Sequence, residues 1–354
     1  MIISRTPFRI SFFGGGTDYP QWYKDNKGSV ISTTINKYCY INARYLPPFF
    51  KYKYCIRYYE REERSKIKDI KHPSVRECLK HLKIKEGIEI VHNADLPALS
   101  GLGSSSAFTV GILNALSALK GEMLTKKELT NDALHIEQKK IKENVGSQDQ
   151  SAAAFGGLNR IDFGGRAEVI VNPIVLGKEY ENSFQENLLL IFSGLSRKAD
   201  NVAKEQISKI DLNKEKYQKI YELVDEAEDI LRKKKKLENF GELLNYQWEL
   251  KKSLSNSITN NKIDEIYDTA IKNGAIGGKL LGAGGGGFFI FYCDPTKIND
   301  LSEKLKSLQS STGTSVYKNV AGLFVYSGWW TLKHCITRCS NSLIHEILPN
   351  GIDD

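Results

Sequence analysis

Apolar positions recur along the chain at two spacings, and each spacing predicts its own kind of element. Residues 2–13 read as a strand, with Pro7 near an edge or a bend. Residues 28–46 are rich in Val, Ile, Thr and Tyr and predict two strands. Residues 50–92 are charged and mixed and predict a strand, a loop and a helix, the helix starting at His72-Pro73-Ser74. From 104 to 120 the apolar residues fall at 107, 108, 112, 115, 116 and 119, which is helical spacing, and this helix opens directly on a glycine turn. A second helix is predicted over 126–144, then a loop, a short helix and a strand over 146–163, and a buried strand over 186–193. Helices follow over 198–209, 214–236, 239–256 and 262–273, then a strand at 288–293 and a helix at 300–309. The strand-rich half therefore ends near 195, and the helical half closes with strands. That is an α+β order, not a regular βαβ alternation.

Composition narrows the class without choosing a function. A chain of 354 residues predicts two domains or one large two-lobed unit. With 41% hydrophobic and 26% charged residues, collagen-like, low-complexity and wholly disordered chains are excluded. The formal charge of +8 favours anionic partners, from nucleic acid and acidic membranes to nucleotides and sugar phosphates. No helix-turn-helix, finger or RNA-binding signature supports nucleic acid. The basic run at 233–236 reads as a solvated helix face. No stretch reaches about 18 consecutive apolar residues, so no membrane span is expected. The opening MIISRTPFRISFF is too polar and short for a secretory signal. Six cysteines without a C-x-x-C pair point to free thiols and a cytoplasmic protein. His334, Cys335 and Cys339 lack zinc-ligand spacing.

The candidate chemistry lies in glycine-rich islands. SGLGSSSA at 100–107 follows a strand-like run and opens a helix. Glycine turns bring main-chain N–H groups close to a ligand, and a helix N-terminus adds partial positive charge, so the island suits phosphate; a helix simply capped by serine is the plainer alternative. LGAGGGG at 281–287 spells a dinucleotide fingerprint but follows a helix and opens a strand, the reverse of the required context. Its glycines suit close approach to another loop or a ligand. In GGGTD at 14–18, Asp18 is either a turn acid or a ligand to hydroxyls, and Arg9 either a surface charge or a cation aimed into a cleft. Asp149 in GSQDQS could be a helix cap, and Glu137 a helix-surface acid. The Tyr and Phe residues at 38–59 read as strand packing in preference to an adenine pocket.

Taken together, the islands resemble the GHMP kinase superfamily over about residues 1–327. The matching motifs are Pro7-x-Arg9 with Gly14-Gly15-Gly16-Thr17-Asp18-Tyr19, Pro97-x-x-x-Gly101-Leu102-Gly103-Ser104-Ser105-Ser106-Ala107, and Lys279-x-x-Gly282-Ala283-Gly284-Gly285-Gly286-Gly287. Within the superfamily, the RTPFRISFFGGGTDYP opening, the GSQDQS loop with its following FGG, VIVNP and the Ser196-Arg197-x-Ala199 turn are similar to D-glycero-D-manno-heptose 7-phosphate kinases. L-fucose kinases share parts of this pattern.

The resemblance implies an α+β, two-lobed GHMP kinase fold: a lobe like the second domain of ribosomal protein S5 over 1–195, a ferredoxin-like lobe over 196–327, and a tail at 328–354 unlike the family's usual ending. It implies ATP-dependent phosphorylation of the anomeric C1 hydroxyl of D-glycero-D-manno-heptose 7-phosphate, with another sugar 1-kinase of the superfamily, such as L-fucose kinase or galactokinase, as the alternative, in a monomer or homodimer without nucleic-acid or membrane partners. Pro97, Ser100, Gly101, Leu102, Gly103, Ser104, Ser105 and Ser106 would surround ATP. Ser105 (or, as second choice, Ser104) and Glu137 would hold Mg²⁺, and Asp149 would accept the hydroxyl proton with Arg9 facing it. Gly16, Thr17, Asp18, Gly284 and Gly285 would meet the sugar phosphate, with Arg197 (or Lys198) as the cation for its phosphate.

Overall fold

The computed structural model describes residues 1–165, 169–195, 199–308 and 315–317. The first lobe is a sheet of β1 (Ile2–Phe13), β2 (Gly28–Tyr45), β3 (Tyr54–Arg57), β4 (Arg61–Arg64), β5 (Ile88–Ala94), β6 (Leu158–Phe163) and β7 (Val169–Pro173) in the order β4-β3-β5-β2-β6-β7, with β1 paired to β2. Residues 28–46 form one strand, not the two expected. They contain no turn-forming break, and β1 pairs with them from Ala43 to Ile31. The two ends of β2 also take different second partners, β5 at 39–45 and β6 at 28–33. β1 has register shifts between Pro7 and Arg9 and between Ser11 and Phe13. The first is the irregularity expected at Pro7.

Helices α1 (Pro20–Tyr23), α2 (Pro73–His81), α3 (Ser104–Leu119), α4 (Lys126–Leu134) and α5 (Gln148–Phe155) belong to this half. The helix expected over 126–144 starts on a capping box of Thr125 and Glu128. It then widens into a π-helix at His135–Ile141 and stops at Lys142, whose φ is 64°.

The second sheet contains β8 (Leu188–Phe192), β9 (Ala275–Leu280), β10 (Phe288–Cys293) and β11 (Ser315–Tyr317) in the order β11-β8-β10-β9. β8 precedes residue 195, so the boundary read from the sequence does not coincide with the change of sheet. The helices of this half are α6 (Lys178–Glu186), α7 (Ala199–Ser208), α8 (Lys214–Arg232), α9 (Glu238–Lys252), α10 (Asn261–Lys272) and α11 (Ile298–Ser307). β9 was not anticipated, because Gly277 and Gly278 break its apolar pattern. Both are required by packing. A Cβ on Gly277 would sit 2.0 Å from the main-chain oxygen of Gly241 in α9, and one on Gly278 would sit 2.3 Å from the Phe291 ring. The island at 281–287 therefore joins two antiparallel strands rather than following a helix.

The two halves meet through an aromatic cluster. Phe12 and Phe13 of β1 pack edge-on against Phe240 of α9 at 5.4 and 5.0 Å, and Phe184 of α6 closes the group. Burial of such rings supplies a large share of the apolar contact that fixes one lobe on the other. No helix among the described residues is long and apolar enough to cross a membrane. Arg197, Lys198 and the 328–354 tail lie outside the described residues.

Candidate active site

The loop after β5 reaches α3 through three residues of positive φ: Leu99 at 60°, Gly101 at 78° and Gly103 at 72°. Gly103 stands at the N-cap of α3, and no side chain caps that end. Main-chain donors of the first turn are thus left for a ligand, and the helix dipole adds positive charge there. Ser105 is exposed at this turn, whereas Ser106 is buried. Three contacts from other elements hold the loop. Arg9 donates its amide to the Leu102 carbonyl at 3.0 Å and its Nη1 to the Gly101 carbonyl at 2.6 Å. Phe288 donates its amide to the Ser100 carbonyl at 3.1 Å. Gly282 lies so close to Gly101 that a Cβ on it would be 2.7 Å from the Gly101 Cα. The 281–287 island thus does approach another loop closely, as expected. Leu102 is buried in the core, and Pro97 is exposed outside the cleft wall.

Arg9 and Asp149, 140 positions apart, form a two-point ion pair. Arg9 Nε donates to Asp149 Oδ1 and Nη2 to Oδ2, both at 2.8 Å. Arg9 is buried at 4% exposure while the Asp149 side chain keeps 27%. The carboxylate therefore faces the cleft with lone pairs left to accept another donor. Arg9 is neither a surface charge nor solvated, and Asp149 points at a cation from the first turn of α5.

Glu137 is not a surface acid. It is fully buried on the π-helix, where its Oε2 accepts from Ser106 Oγ at 2.9 Å and from Gln150 Nε2 at 2.5 Å. Burial pushes its carboxyl up to about 7 against the pull of these donors. The hydroxyl on Glu137 is that of Ser106, whereas Ser105 was the expected companion. One helical position separates them, so they face different sides of α3.

Asp18 closes the 14–19 turn. Its Oδ1 accepts from the Gly16 amide at 2.9 Å and its Oδ2 from the Gln148 amide at 3.4 Å. Burial raises its pKa, the amides oppose the rise, and Asp149 adds to it. Gly16 has a φ of 105° and lies against the Tyr217 ring. Thr17 is directed away from the cleft: its Oγ1 donates to the carbonyls of Gly14 and Ser29 and accepts from the Ser29 amide. Gly284 lines the cleft, while Gly285 donates its amide to Ile258 behind it.

Arg9, Asp18, Asp149, Gly284 and the start of α3 line one cleft of about 170 Å³ between the lobes. Three of its walls were not foreseen. Gln206 of α7 donates to the Ala283 carbonyl at 2.7 Å. Lys251 of α9 donates its Nζ to the carbonyls of Leu280 and Gly282, and Lys279 of β9 donates to that of Phe12 at 2.9 Å. Both lysines are buried, which lowers their pKa values, Lys251 to about 7. Lys279 stood in the third motif without a role. A signal for Lys251 did exist: it shares helical spacing with buried Leu244, Gln247 and Trp248, so it occupies a core position with a charge. Glu137 carries the same signal beside Leu129, Thr130 and Ala133.

Two family models match the chain, the GHMP kinases N terminal domain over residues 71–157 and the GHMP kinases C terminal region over 214–310. The D-glycero-alpha-D-manno-heptose 7-phosphate kinase of Campylobacter jejuni is 31% identical over 322 residues, covering 87% of this chain and 94% of that protein. A mevalonate kinase of Methanocaldococcus jannaschii is 29% identical over 239 residues, covering 66% of this chain and 70% of that protein. Among solved structures, that of a D-glycero-D-manno-heptose 1-phosphate kinase from Bacteroides thetaiotaomicron superposes with a TM-score of 0.73 at 24% identity, over 90% of this chain and 95% of that one, and supports the fold. The chain belongs to the GHMP kinases and is an ATP-dependent phosphotransferase with an alcohol group as acceptor.

Proposed function

We propose that the acceptor is D-glycero-D-manno-heptose 7-phosphate, phosphorylated on its anomeric C1 hydroxyl to give the 1,7-bisphosphate. The observation that carries this reading is the Arg9–Asp149 pair, set beside the open N-terminus of α3 in a cleft that Asp18 and two lysines also line. The similarity to the Campylobacter jejuni heptose 7-phosphate kinase supports the choice of sugar.

In this reading the main chain of residues 101–106 and the hydroxyls of Ser104 and Ser105 hold the ATP phosphates. Asp149 accepts the proton of the C1 hydroxyl, the freed oxygen bonds to the γ-phosphorus, and the bond to the β–γ bridging oxygen breaks to release ADP. Arg9 positions the carboxylate and offsets charge on the transferred group. Asp18, with Gly16 beside it, accepts and orients sugar hydroxyls, with Gly284 on the cleft wall and Gly285 supporting it from behind. Arg197 is the candidate cation that the sequence offers for the 7-phosphate.

The residues present fit Mg²⁺. A fully buried carboxylate without a cation partner among the described residues, next to serine hydroxyls, is a hard-oxygen donor set of the kind magnesium takes together with phosphates and waters. Glu137 with Ser105 or Ser106 would hold it. When bound, the ion neutralises phosphate charge.

A coupled ADP-release assay with Mg-ATP tests the reading over heptose 7-phosphate, sedoheptulose 7-phosphate, mannose 6-phosphate, L-fucose, galactose and mevalonate. Turnover confined to the heptose phosphate, with a new anomeric phosphate in the ³¹P NMR spectrum, is expected. Preferential turnover of L-fucose or galactose would replace the substrate with an unphosphorylated sugar.

A further inference from the structure

We infer that Lys251 and Lys279 form the subsite for the phosphate that the acceptor already carries, a dianionic phosphomonoester held from the second-lobe wall of the cleft. The inference rests on the sugar-phosphate reading above and gives that reading its specificity-determining residues.

Five charged residues line the cleft: Arg9, Lys251 and Lys279 against Asp18 and Asp149. Asp149 is committed to Arg9 through both of its oxygens. Asp18 is held by the amides of Gly16 and Gln148. The two lysines, 5% and 2% exposed, have no carboxylate partner among the described residues. Their acceptors are main-chain carbonyls, two for Lys251 and one for Lys279. Each ammonium carries three donors, so Lys279 has two beyond its bond to Phe12.

Burying a charge against neutral carbonyls alone is expensive. A neutral side chain could brace the same carbonyls at lower cost. Arg9 also opposes both ammonium groups, and Lys251 opposes that of Lys279, which adds to the effect of burial in lowering their pKa values. An anion between them removes both penalties at once. Lys279 bonds to the Phe12 carbonyl, at the end of β1 that leads into the 14–19 turn bearing Asp18, which sets the pair beside the acceptor side of the cleft. The nucleotide side is supplied by the neutral loop that opens α3.

The test compares wild type with Lys251→Met, Lys279→Met and Lys251→Arg. KM and kcat are measured for heptose 7-phosphate, for the unphosphorylated heptose and for ATP. Both Met variants should raise KM for the phosphorylated acceptor about tenfold or more, a typical consequence of losing a charge-assisted hydrogen bond. KM for the phosphorylated acceptor should rise well above any change in KM for ATP or for the free heptose, and Lys251→Arg should recover most of the loss. Thermal stabilisation by mannose 6-phosphate without ATP should fall in the Met variants, which reads binding apart from turnover. An equal loss of kcat on both acceptors with unchanged KM would reduce the lysines to braces of the glycine loop and overturn the inference. So would a loss of phosphate preference in Arg197→Ala alone, with both Met variants intact. If a Met variant does not fold, Lys251→Gln or Lys279→Gln keeps the carbonyl bonds without the charge, and the same KM split decides. A wild type that does not prefer the phosphorylated acceptor overturns the substrate reading itself, before any variant is compared.

Discussion

The two sides of the cleft solve the problem of holding anions by opposite means. The proposed nucleotide side is a single run of about seven residues, 100–106, neutral and mostly main chain, with its shape set by left-handed glycines. The proposed acceptor side is assembled from the 14–19 turn, α7, α9 and β9, and it relies on the buried ionisable side chains of Asp18, Lys251 and Lys279. Amides at a helix N-terminus are polarised at any pH and cost little to leave open to water. Buried ammonium and carboxyl groups are stronger and more selective, but they depend on neighbours from distant parts of the chain. The first design suits a ligand shared by a whole family of kinases. The second suits the component that varies among them.

The Arg9–Asp149 pair lies where the two sides join, so it gives the largest effect. Asp149→Asn should lower kcat by about 10²–10⁴, with both KM values changed much less. Single-turnover kinetics would measure it. A variant within about tenfold of wild type would remove proton acceptance from the mechanism and leave Asp149 as a partner that positions Arg9.

Gly282→Ala comes next, and it tests how separate the two sides are. Gly282 belongs to the second lobe, yet it has a φ of 75° and its Cβ would press on the Gly101 backbone. Neither neighbour is a flexible side chain that could move aside. The substitution should destabilise the protein by about 2–4 kcal/mol, from left-handed strain plus the clash. It should also raise KM for ATP more than KM for the acceptor. Gly121→Ala is the control, with a φ of 83° and nothing within 4 Å, and should cost only about 1 kcal/mol. Thermal melts and paired KM values would show it. If ATP binding survives Gly282→Ala unchanged, the nucleotide loop stands without the second lobe.

The same contrast explains what could be read without a structure. The nucleotide loop was legible because its chemistry is contiguous and its glycines must be glycines. The mixed α+β order was legible because many elements, among them α8 and α10, keep one period from end to end. β9 was not, because Gly277 and Gly278 serve a close approach of α9 and leave no alternation to see. The single long β2 was not, because its length is set by partners on both sides rather than by its own residues. Lys251 and Glu137 were visible only as anomalies, charges at positions whose helical spacing belongs to the core. Such anomalies gain meaning once the fold shows that both back onto the same site. The one-residue change from Ser105 to Ser106 on Glu137 depends on how α3 is rotated against the π-helix, a tertiary fact with no local signature.

Thr17 gives the smallest effect and sharpens the boundary of the acceptor side. It sits between Gly16 and Asp18, both on the cleft wall, and so reads in sequence as part of the same surface. The structure turns it inward, where its hydroxyl ties Gly14 to Ser29 at the start of β2 and is fully buried. Thr17→Val keeps the shape and removes the hydroxyl, leaving buried main-chain groups short of a partner. The cost should be about 1–3 kcal/mol of stability. Because Asp18 keeps its own amide bonds, kcat and KM for the acceptor should hold at temperatures well below the melting point. A rise in KM with no fall in Tm would put the Thr17 hydroxyl on the substrate and extend the acceptor wall into the turn. A fall in Tm with unchanged kinetics would confine that wall to side chains that face the cleft, making Thr17 the support that lets Asp18 face it.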